Sequence, residues 1–122
     1  MHELSIAMSI VEGAADEAFR IGADKVAAIY LKLGAMSGVV PEALLFSYDL
    51  ACEGTPLEGS RLEIEEIEPT VNCSRCGGER AVESVQSLRC AECGTLSFEV
   101  IKGRELVIVG LELEGEYAAA SG

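Results

Sequence analysis

The chain has a single histidine, His2, and no tryptophan. A nucleophile that is activated by an imidazole base therefore has no partner except at the second residue. A phosphate-binding loop is also absent, because the glycine-bounded segment Gly34–Gly38 lacks the Lys-Ser/Thr pair of such loops. These absences predict a protein without catalysis of its own.

Long apolar runs and a basic leader are missing as well. No stretch approaches the roughly 18 apolar residues of a membrane span. The start, Met1 to Ser5, has no basic region and carries an acid at its third position, unlike a secretion signal. We therefore expect a cytoplasmic protein with reduced thiols and no membrane insertion.

Basic residues are scarce, with 9 Lys and Arg against 21 Asp and Glu, and a net charge of −12. The excess lies wholly outside residues 69–103, which hold four acids and four bases, whereas the remainder holds 17 acids and 5 bases. Zinc ribbons that bind nucleic acid need a basic surface, so no nucleic-acid partner is expected. A cationic metal or a basic protein fits better, although solubility alone also explains most individual acids.

Four of the five cysteines occur in two Cys-x-x-Cys pairs. Thirteen residues separate two pairs, and a glycine, Gly77 or Gly94, follows each pair, as in a turn that aims backbone N–H groups at sulfur. This spacing predicts a closed tetrahedral zinc site that is structural. The predicted ligands are Cys73, Cys76, Cys90 and Cys93.

Three alternatives use the same spacing: two disulfides, a Cys-x-x-Cys redox pair, and an iron centre of the rubredoxin kind. Disulfides require an oxidising compartment, which the amino-terminal sequence does not favour. The low aromatic content of 5% favours zinc over iron, although spacing alone leaves iron open. The fifth cysteine, Cys52, lies on an apolar helical stripe and is interpreted as a small buried hydrophobe.

The amino terminus offers a second metal site. A histidine at position two presents three nitrogens: the Met1 α-amine, the deprotonated His2 amide and the imidazole Nδ1. The resulting fused chelate rings favour a planar arrangement that suits Ni(II) or Cu(II), with Glu3 at the fourth position through its amide nitrogen or its carboxylate. The alternative is that His2 and Glu3 simply begin a helix, where an acid suits the positive end.

Periodicity predicts two helices and three strands. The helices span residues 4–21 and Pro41 to Cys52, and the strands span 25–33, 61–68 and 106–113. The first helix has an apolar stripe of Leu4, Met8, Val11, Ala15 and Phe19, which is widened by Ile6, Ile10, Ala14 and Ala18. The second helix has apolar residues at helical spacing: Leu44, Leu45, Tyr48 and Cys52. The last strand is apolar on both faces, which predicts a central position. Together they predict an α/β (α+β) fold: a small mixed three-stranded sheet with two helices and an inserted zinc-ribbon module.

The predicted domains are residues 1–68 with 104–122, and an insert at residues 69–103. The insert has few candidate core residues and should depend on its metal. Those candidates are Val82, Val85, Leu88 and Phe98.

Several segments together resemble the HypA family of nickel-insertion accessory proteins in [NiFe]-hydrogenase maturation. They are Met1 to Ile6, Leu33 to Val39, Glu58 to Ile64, the paired cysteines and Gly103 to Leu106. The resemblance covers nearly the whole chain in order, and no departure occurs at the metal-ligand positions.

The resemblance implies a metallochaperone with a nickel site at Met1, His2 and Glu3 and a zinc site at the four paired cysteines. It also implies two partners, a maturation GTPase and the precursor of the hydrogenase large subunit, and some family members also serve urease. A competing interpretation remains: a zinc-ribbon interaction module in which His2 has no nickel role.

Overall fold

The computed structural model describes residues 2–114. In chain order the elements are α1 (His2–Arg20), β1 (Val26–Gly34), α2 (Pro41–Cys52), β2 (Arg61–Ile67), β3 (Thr70–Cys73), β4 (Gly78–Ser84), β5 (Ser87–Cys90), β6 (Val100–Lys102) and β7 (Leu106–Leu113). The chain forms two compact units. One comprises the chain up to Leu31, Val39–Glu65 and the chain from Val107 onward; the other comprises Lys32–Gly38 and Glu66–Leu106.

Helix α1 occurs where the periodicity predicts it, and four of the five residues that it buries belong to the widened stripe. The buried residues are Ala7, Ile10, Val11, Ala14 and Ala18. Met8 and Phe19, which the predicted stripe placed inside, are exposed. Alanines let a helix approach its neighbours closely, and α1 packs against α2. Gly22, at φ 80°, ends the helix, and the amide of Ala23 donates to the carbonyl of Ala18.

Helix α2 begins at Pro41 as predicted, because proline at the first turn has no N–H to lose. Its buried residues are Leu44, Ser47, Tyr48 and Cys52. The prediction of a buried Cys52 is confirmed, since 3% of this residue is exposed. Leu45, which the pattern placed inside, is exposed, and the helix presents further apolar side chains outward.

The three-stranded sheet has the order β2-β1-β7. The amide of Ala35 donates to the carbonyl of Ile67, which brings the carboxyl ends of β1 and β2 together, as in parallel strands. The amide of Gly34 donates to Glu105, just before β7, so β7 runs antiparallel to β1. The mixed three-stranded sheet with two helices is therefore confirmed. The predicted central position of 106–113 is wrong: β1 is central, and β7 is an edge strand with Val107 and Val109 exposed.

Ser60, which precedes β2, takes part in two side-chain hydrogen bonds, one of which links it to α2. The Ser60 hydroxyl donates to the carbonyl of Leu57, and the buried phenol of Tyr48 lies 2.6 Å from the Ser60 oxygen, to which it donates. Burial raises the pKa of the Tyr48 phenol, so it stays protonated as a donor. Among residues 2–114, no helix combines the length and apolarity that crossing a membrane would require.

Replacing Ser60 by alanine is expected to lower the free energy of unfolding by about 1–3 kcal/mol, because the Tyr48 phenol loses its acceptor while it stays buried. Urea unfolding of zinc-loaded protein measures the change. The matched control is the double variant Ser60→Ala with Tyr48→Phe, which removes both partners and should recover part of the loss. Equal losses in the single and double variants would contradict the assigned role of this hydrogen bond.

The second sheet has the order β5-β4-β3-β6, and its paired strands run antiparallel. Its buried hydrophobic residues are Val71, Cys73 and Cys90. The predicted core is wrong in part: Phe98 is 76% exposed and Val85 is also exposed. So short a sheet has too little interior to enclose these side chains, and its centre is formed by cysteines.

Candidate metal centre

Four sulfurs converge at one end of the second sheet. The Sγ atoms of Cys73, Cys76, Cys90 and Cys93 all lie within 4.8 Å of one another. Cys73 and Cys93 are separated by 3.5 Å between sulfurs, and Cys76 and Cys90 by 3.8 Å. A tetrahedral ion with metal–sulfur bonds of about 2.3 Å places its sulfurs about 3.8 Å apart. The cluster therefore has the dimensions of a four-thiolate site for one zinc-sized ion.

Two turns of similar geometry build the cluster. Cys73 ends β3, and the amide of Gly77 donates to its carbonyl over 2.8 Å. Cys90 ends β5, and the amide of Gly94 donates to its carbonyl over the same distance. The two glycines have φ of 82° and 78°, so the predicted left-handed turns are confirmed.

Backbone amides point at the buried sulfur of each pair. The amide of Cys76 lies 3.4 Å from the sulfur of Cys73, and that of Glu92 lies 3.4 Å from the sulfur of Cys90. An N–H aimed at a thiolate stabilises its negative charge. The inner cysteines, Cys73 and Cys90, are buried, whereas the outer ones, Cys76 and Cys93, are partly exposed.

The thiols differ in their readiness to ionise. The Thr95 hydroxyl, 3.2 Å from the Cys93 sulfur, together with the Thr95 amide, lowers the pKa of the Cys93 thiol to about 6. Hydrogen bonds from neighbouring sulfurs, that of Cys93 first, raise the pKa of the Cys76 thiol to about 12. Cys93 therefore ionises more readily than Cys76, which favours it as a thiolate ligand.

The disulfide alternative does not fit this geometry. All five cysteines are free, and sulfur separations of 3.5 and 3.8 Å exceed the 2.05 Å of a disulfide bond. Four converging thiols also exceed the two that a Cys-x-x-Cys redox pair requires. The chemistry of the donor set, sulfur only and closed on four sides, suits a structural ion.

The predicted nickel residues stand apart from this cluster in the sequence, at the start of α1. His2 is exposed as the first residue of the helix; Met1 lies outside the described residues. The Glu3 carboxylate accepts a hydrogen bond from the Val40 amide, 3.4 Å away, at the start of α2. Backbone hydrogen bonds, first at Glu3 itself and then from Val40, lower the pKa of the Glu3 carboxyl.

Two residues that contact the predicted metal ligands were not identified from the sequence. Thr95 tunes Cys93, and its only signal is a hydroxyl residue placed two positions after the last cysteine. Val40 binds Glu3 through its backbone amide, so its side chain carries no signal at all.

Comparison with known proteins places the whole chain in one group. The family model for hydrogenase/urease nickel incorporation metallochaperones, HypA, matches residues 1–113. The hydrogenase maturation factor HypA of Roseiflexus sp. (strain RS-1) is 44% identical over 121 residues, covering 99% of this chain and 98% of that protein. Its counterpart in Chloroflexus aurantiacus (strain ATCC 29366 / DSM 635 / J-10-fl) is 45% identical over 112 residues, covering 92% and 98%.

Solved structures agree with the fold. The solution structure of the Ni metallochaperone HypA from Helicobacter pylori superposes with a TM-score of 0.64 at 18% identity, covering 91% of this chain and 96% of that one. A second solution structure of a HypA protein gives a TM-score of 0.68 at 20% identity, covering 95% and 98%. Through the family model and these relatives, the chain belongs to the HypA family of nickel-incorporation metallochaperones that act in hydrogenase maturation.

Proposed function

We propose that this protein binds Ni(II) at its amino terminus and delivers it to a [NiFe]-hydrogenase under maturation, without catalysis of its own. The observation that carries the proposal is the position of the only imidazole. His2 is exposed at the first turn of α1, beside a carboxylate that is held in place by the next helix. Family membership supports the nickel chemistry, and the position of His2 and Glu3 supports their choice as ligands.

The start of α1 leaves the required nitrogens open. The first four N–H groups of a helix have no acceptor on the backbone of that helix, so the amide of His2 is open to a metal. The amide of Glu3 becomes open when it gives up its hydrogen bond to its own carboxylate. Together with the Met1 α-amine and the His2 imidazole, these amides form a planar nitrogen set. Because its carboxylate accepts from Val40, Glu3 fills the fourth position through its amide nitrogen rather than its side chain.

The helix position tunes the site for release. A dication beside the positive end of α1 is disfavoured, and deprotonated amides and the Glu3 carboxylate offset that cost. Nickel uptake displaces protons from its nitrogen donors, so binding weakens as pH falls. Such a site accepts nickel and gives it up, which is the requirement of delivery.

We further propose that the four-cysteine cluster holds zinc as a structural ion. Residues 69–103 then form a zinc-binding insert within a nickel-binding domain of residues 1–68 and 104–122. The sulfur separations fit zinc, and the low aromatic content of the chain favours zinc over iron. Free thiols in this number require a reducing compartment, so we place the protein in the cytoplasm.

The proposed partners follow from the family. They are the maturation GTPase of the hydrogenase pathway and the precursor of the hydrogenase large subunit. Urease is a second proposed recipient of nickel, because the family serves nickel incorporation into hydrogenase and urease. The net charge of −12 argues against nucleic acid and against insertion into anionic membranes.

Calorimetric titration of an untagged, zinc-loaded preparation tests the nickel site. We expect one Ni(II) per chain, and a loss of at least about a hundredfold in affinity on His2→Ala or on extension of the amino terminus, because each removes nitrogen donors. Unchanged zinc content and circular dichroism are the control for folding.

Equal nickel affinity in all three preparations would overturn the site. Such a result would favour the competing interpretation, a zinc-ribbon interaction module in which His2 has no role. Nickel coordinated by sulfur, with imidazole absent, would have the same consequence.

A further inference from the structure

Helix α2 presents a second face that its packing does not use. Six exposed residues recur at spacings of three and four along this helix, so they share one side of it. We call this side the outer face of α2. It comprises Glu42, Leu45, Phe46, Asp49, Leu50 and Glu53.

The apolar part of the outer face is large for a surface helix. Leu45 is 42% exposed, Phe46 70% and Leu50 48%. Phe46 and Leu50, four positions apart, are neighbours on the helix, and Leu45 lies at the other edge of the face. Single exposed apolar residues need no explanation, but a contiguous group on one element indicates a place where something binds. The core already uses the opposite side of α2, so folding of this unit does not account for the outer face.

The polar part of the outer face carries one sign of charge. Its three polar residues are all acids, and α2 contains no Lys or Arg. Within residues 2–114, no basic side chain lies within ion-pair distance of Glu42, Asp49 or Glu53. At about 100° per residue the three acids lie along the middle of the face, between Leu45 on one side and Phe46 and Leu50 on the other. An acidic stripe with apolar edges is complementary to a helix whose Lys or Arg residues have apolar side chains on either side.

The outer face also begins beside the proposed nickel residues. Val40, the residue that precedes α2, donates its amide to Glu3, and Phe46 follows six positions later, about 9 Å along the helix. A partner seated on this face would therefore lie next to the amino terminus of the chain.

We propose that the outer face of α2 docks an amphipathic partner helix that carries Lys or Arg between apolar side chains. The inference rests on the proposed function in one respect: docking here brings the receiving protein to the nickel-bearing terminus. A second copy of this chain is the weaker occupant, because two outer faces would place carboxylates against carboxylates. An anionic membrane is repelled by the same three acids.

The test uses zinc-loaded, nickel-free protein and three synthetic helical peptides. The first carries leucines at helical spacing with lysines beside them, the second has glutamates in place of the lysines, and the third is a scrambled version of the first. Fluorescence anisotropy gives the affinities, and amide chemical shifts give the location.

We expect the leucine–lysine peptide to bind and to shift amides of α2, whereas the other two bind at least about tenfold more weakly. Phe46→Ser should weaken binding at least about tenfold, because truncating an aromatic anchor has effects of this size. The matched control is Phe19→Ser, which removes an 87% exposed phenylalanine from α1 and should leave the affinity unchanged. Lysines in place of Glu42, Asp49 and Glu53 should transfer the preference to the glutamate peptide.

Equal binding of the scrambled peptide, or an affinity unaffected by Phe46→Ser, would overturn the docking surface. Self-association that Phe46→Ser abolishes would overturn the choice of occupant in favour of a second copy. Nickel titration of the same preparations separates the two proposals: if His2→Ala leaves nickel binding intact while the peptide results hold, the nickel site fails and the docking surface stands.

Discussion

Replacing Cys90 by serine is expected to abolish stoichiometric zinc binding and to unfold strands β3 to β6, while the helical signal of α1 and α2 persists. Cys90 is fully buried, its sulfur lies 3.8 Å from that of Cys76, and its amide donates to the carbonyl of Thr95. Zinc binding to structural thiolate sites is worth about 10–16 kcal/mol, and in small metal-bound domains this is the free energy of folding.

The effect of Cys90→Ser is expected to be large because the second sheet has almost no apolar core to stabilise it without the metal. Besides the two buried cysteines, its only buried apolar side chain is that of Val71. A hydroxyl cannot replace a thiolate as a soft ligand, so the cluster loses its ion and the strands lose their centre. The helices belong to the other unit, which has apolar residues of its own at its centre, such as Ile29, Leu44 and Tyr48.

Zinc content, far-ultraviolet circular dichroism and amide chemical-shift dispersion measure the outcome. The matched control is Cys52→Ala, which removes the one cysteine outside the cluster and should retain one zinc per chain. If Cys90→Ser eliminates the helical signal together with zinc, the body of the protein depends on its metal and the proposed separation into two domains fails. Retention of zinc at full stoichiometry would show that three thiolates suffice.

The sequence predicted what depends on local spacing. Thiolate ligands are fixed by residue type and by short turns. The pairs that begin at Cys73 and Cys90 therefore predict the metal cluster without any knowledge of the sheet. Likewise, Pro41 marks the start of α2 and Gly22 the end of α1, because both effects act within one turn of the chain.

The predictions that failed concern contacts between residues that are distant in the sequence. The stripe predicted for α1 was too broad: Ile10 and Ala14 are buried as predicted, whereas Met8 and Phe19 are exposed, because the rest of the fold decides how much of a helix is covered. Strand β7 is apolar on both faces, yet the order of strands is a property of the whole sheet, so its edge position had no local signal. The bond from Val40 to Glu3 uses a backbone amide, which every residue except proline possesses.

The second large effect is expected at Gly34, where Gly34→Ala should lower the free energy of unfolding by about 3 kcal/mol or more, or prevent folding. A Cβ at Gly34 would lie 2.2 Å from the carbonyl carbon and oxygen of Gly103 and 2.6 Å from the amide nitrogen of Arg104. These are backbone atoms, which cannot rotate away as a side chain can.

Two hydrogen bonds hold the two segments of chain at this distance, and a third lies within the segment from Gly103 to Glu105. Gly34 donates its amide to the carbonyl of Glu105 over 2.7 Å, and Met36 donates to the carbonyl of Gly103 over 2.6 Å. The Gly103 amide in turn donates to the Glu105 carboxylate over 2.8 Å. Gly103 adopts φ 125°, a conformation that other residues rarely take, and its own Cβ would lie 2.9 Å from Pro69. Relief of the clash therefore requires breaking backbone hydrogen bonds.

Variants at two further glycines distinguish a steric clash from backbone conformation as the cause of the lost stability. A Cβ at Gly13, inside α1, meets nothing within 4 Å, so Gly13→Ala should stabilise the protein by about 1 kcal/mol through helix propensity. Gly38 is equally open but has φ 83°, so Gly38→Ala should cost about 1–2 kcal/mol from conformation alone. Urea unfolding of the zinc-loaded variants ranks all three.

A loss below about 1 kcal/mol for Gly34→Ala would contradict the close approach of Gly34 to Gly103. The expected ranking also explains why two of the segments that carry the family resemblance, Leu33 to Val39 and Gly103 to Leu106, belong together. They are nearly seventy residues apart in the chain, yet their backbones touch, and only a residue without a side chain fits at Gly34. The resemblance at these positions thus reflects a steric requirement of the fold, independent of the metal chemistry at either site.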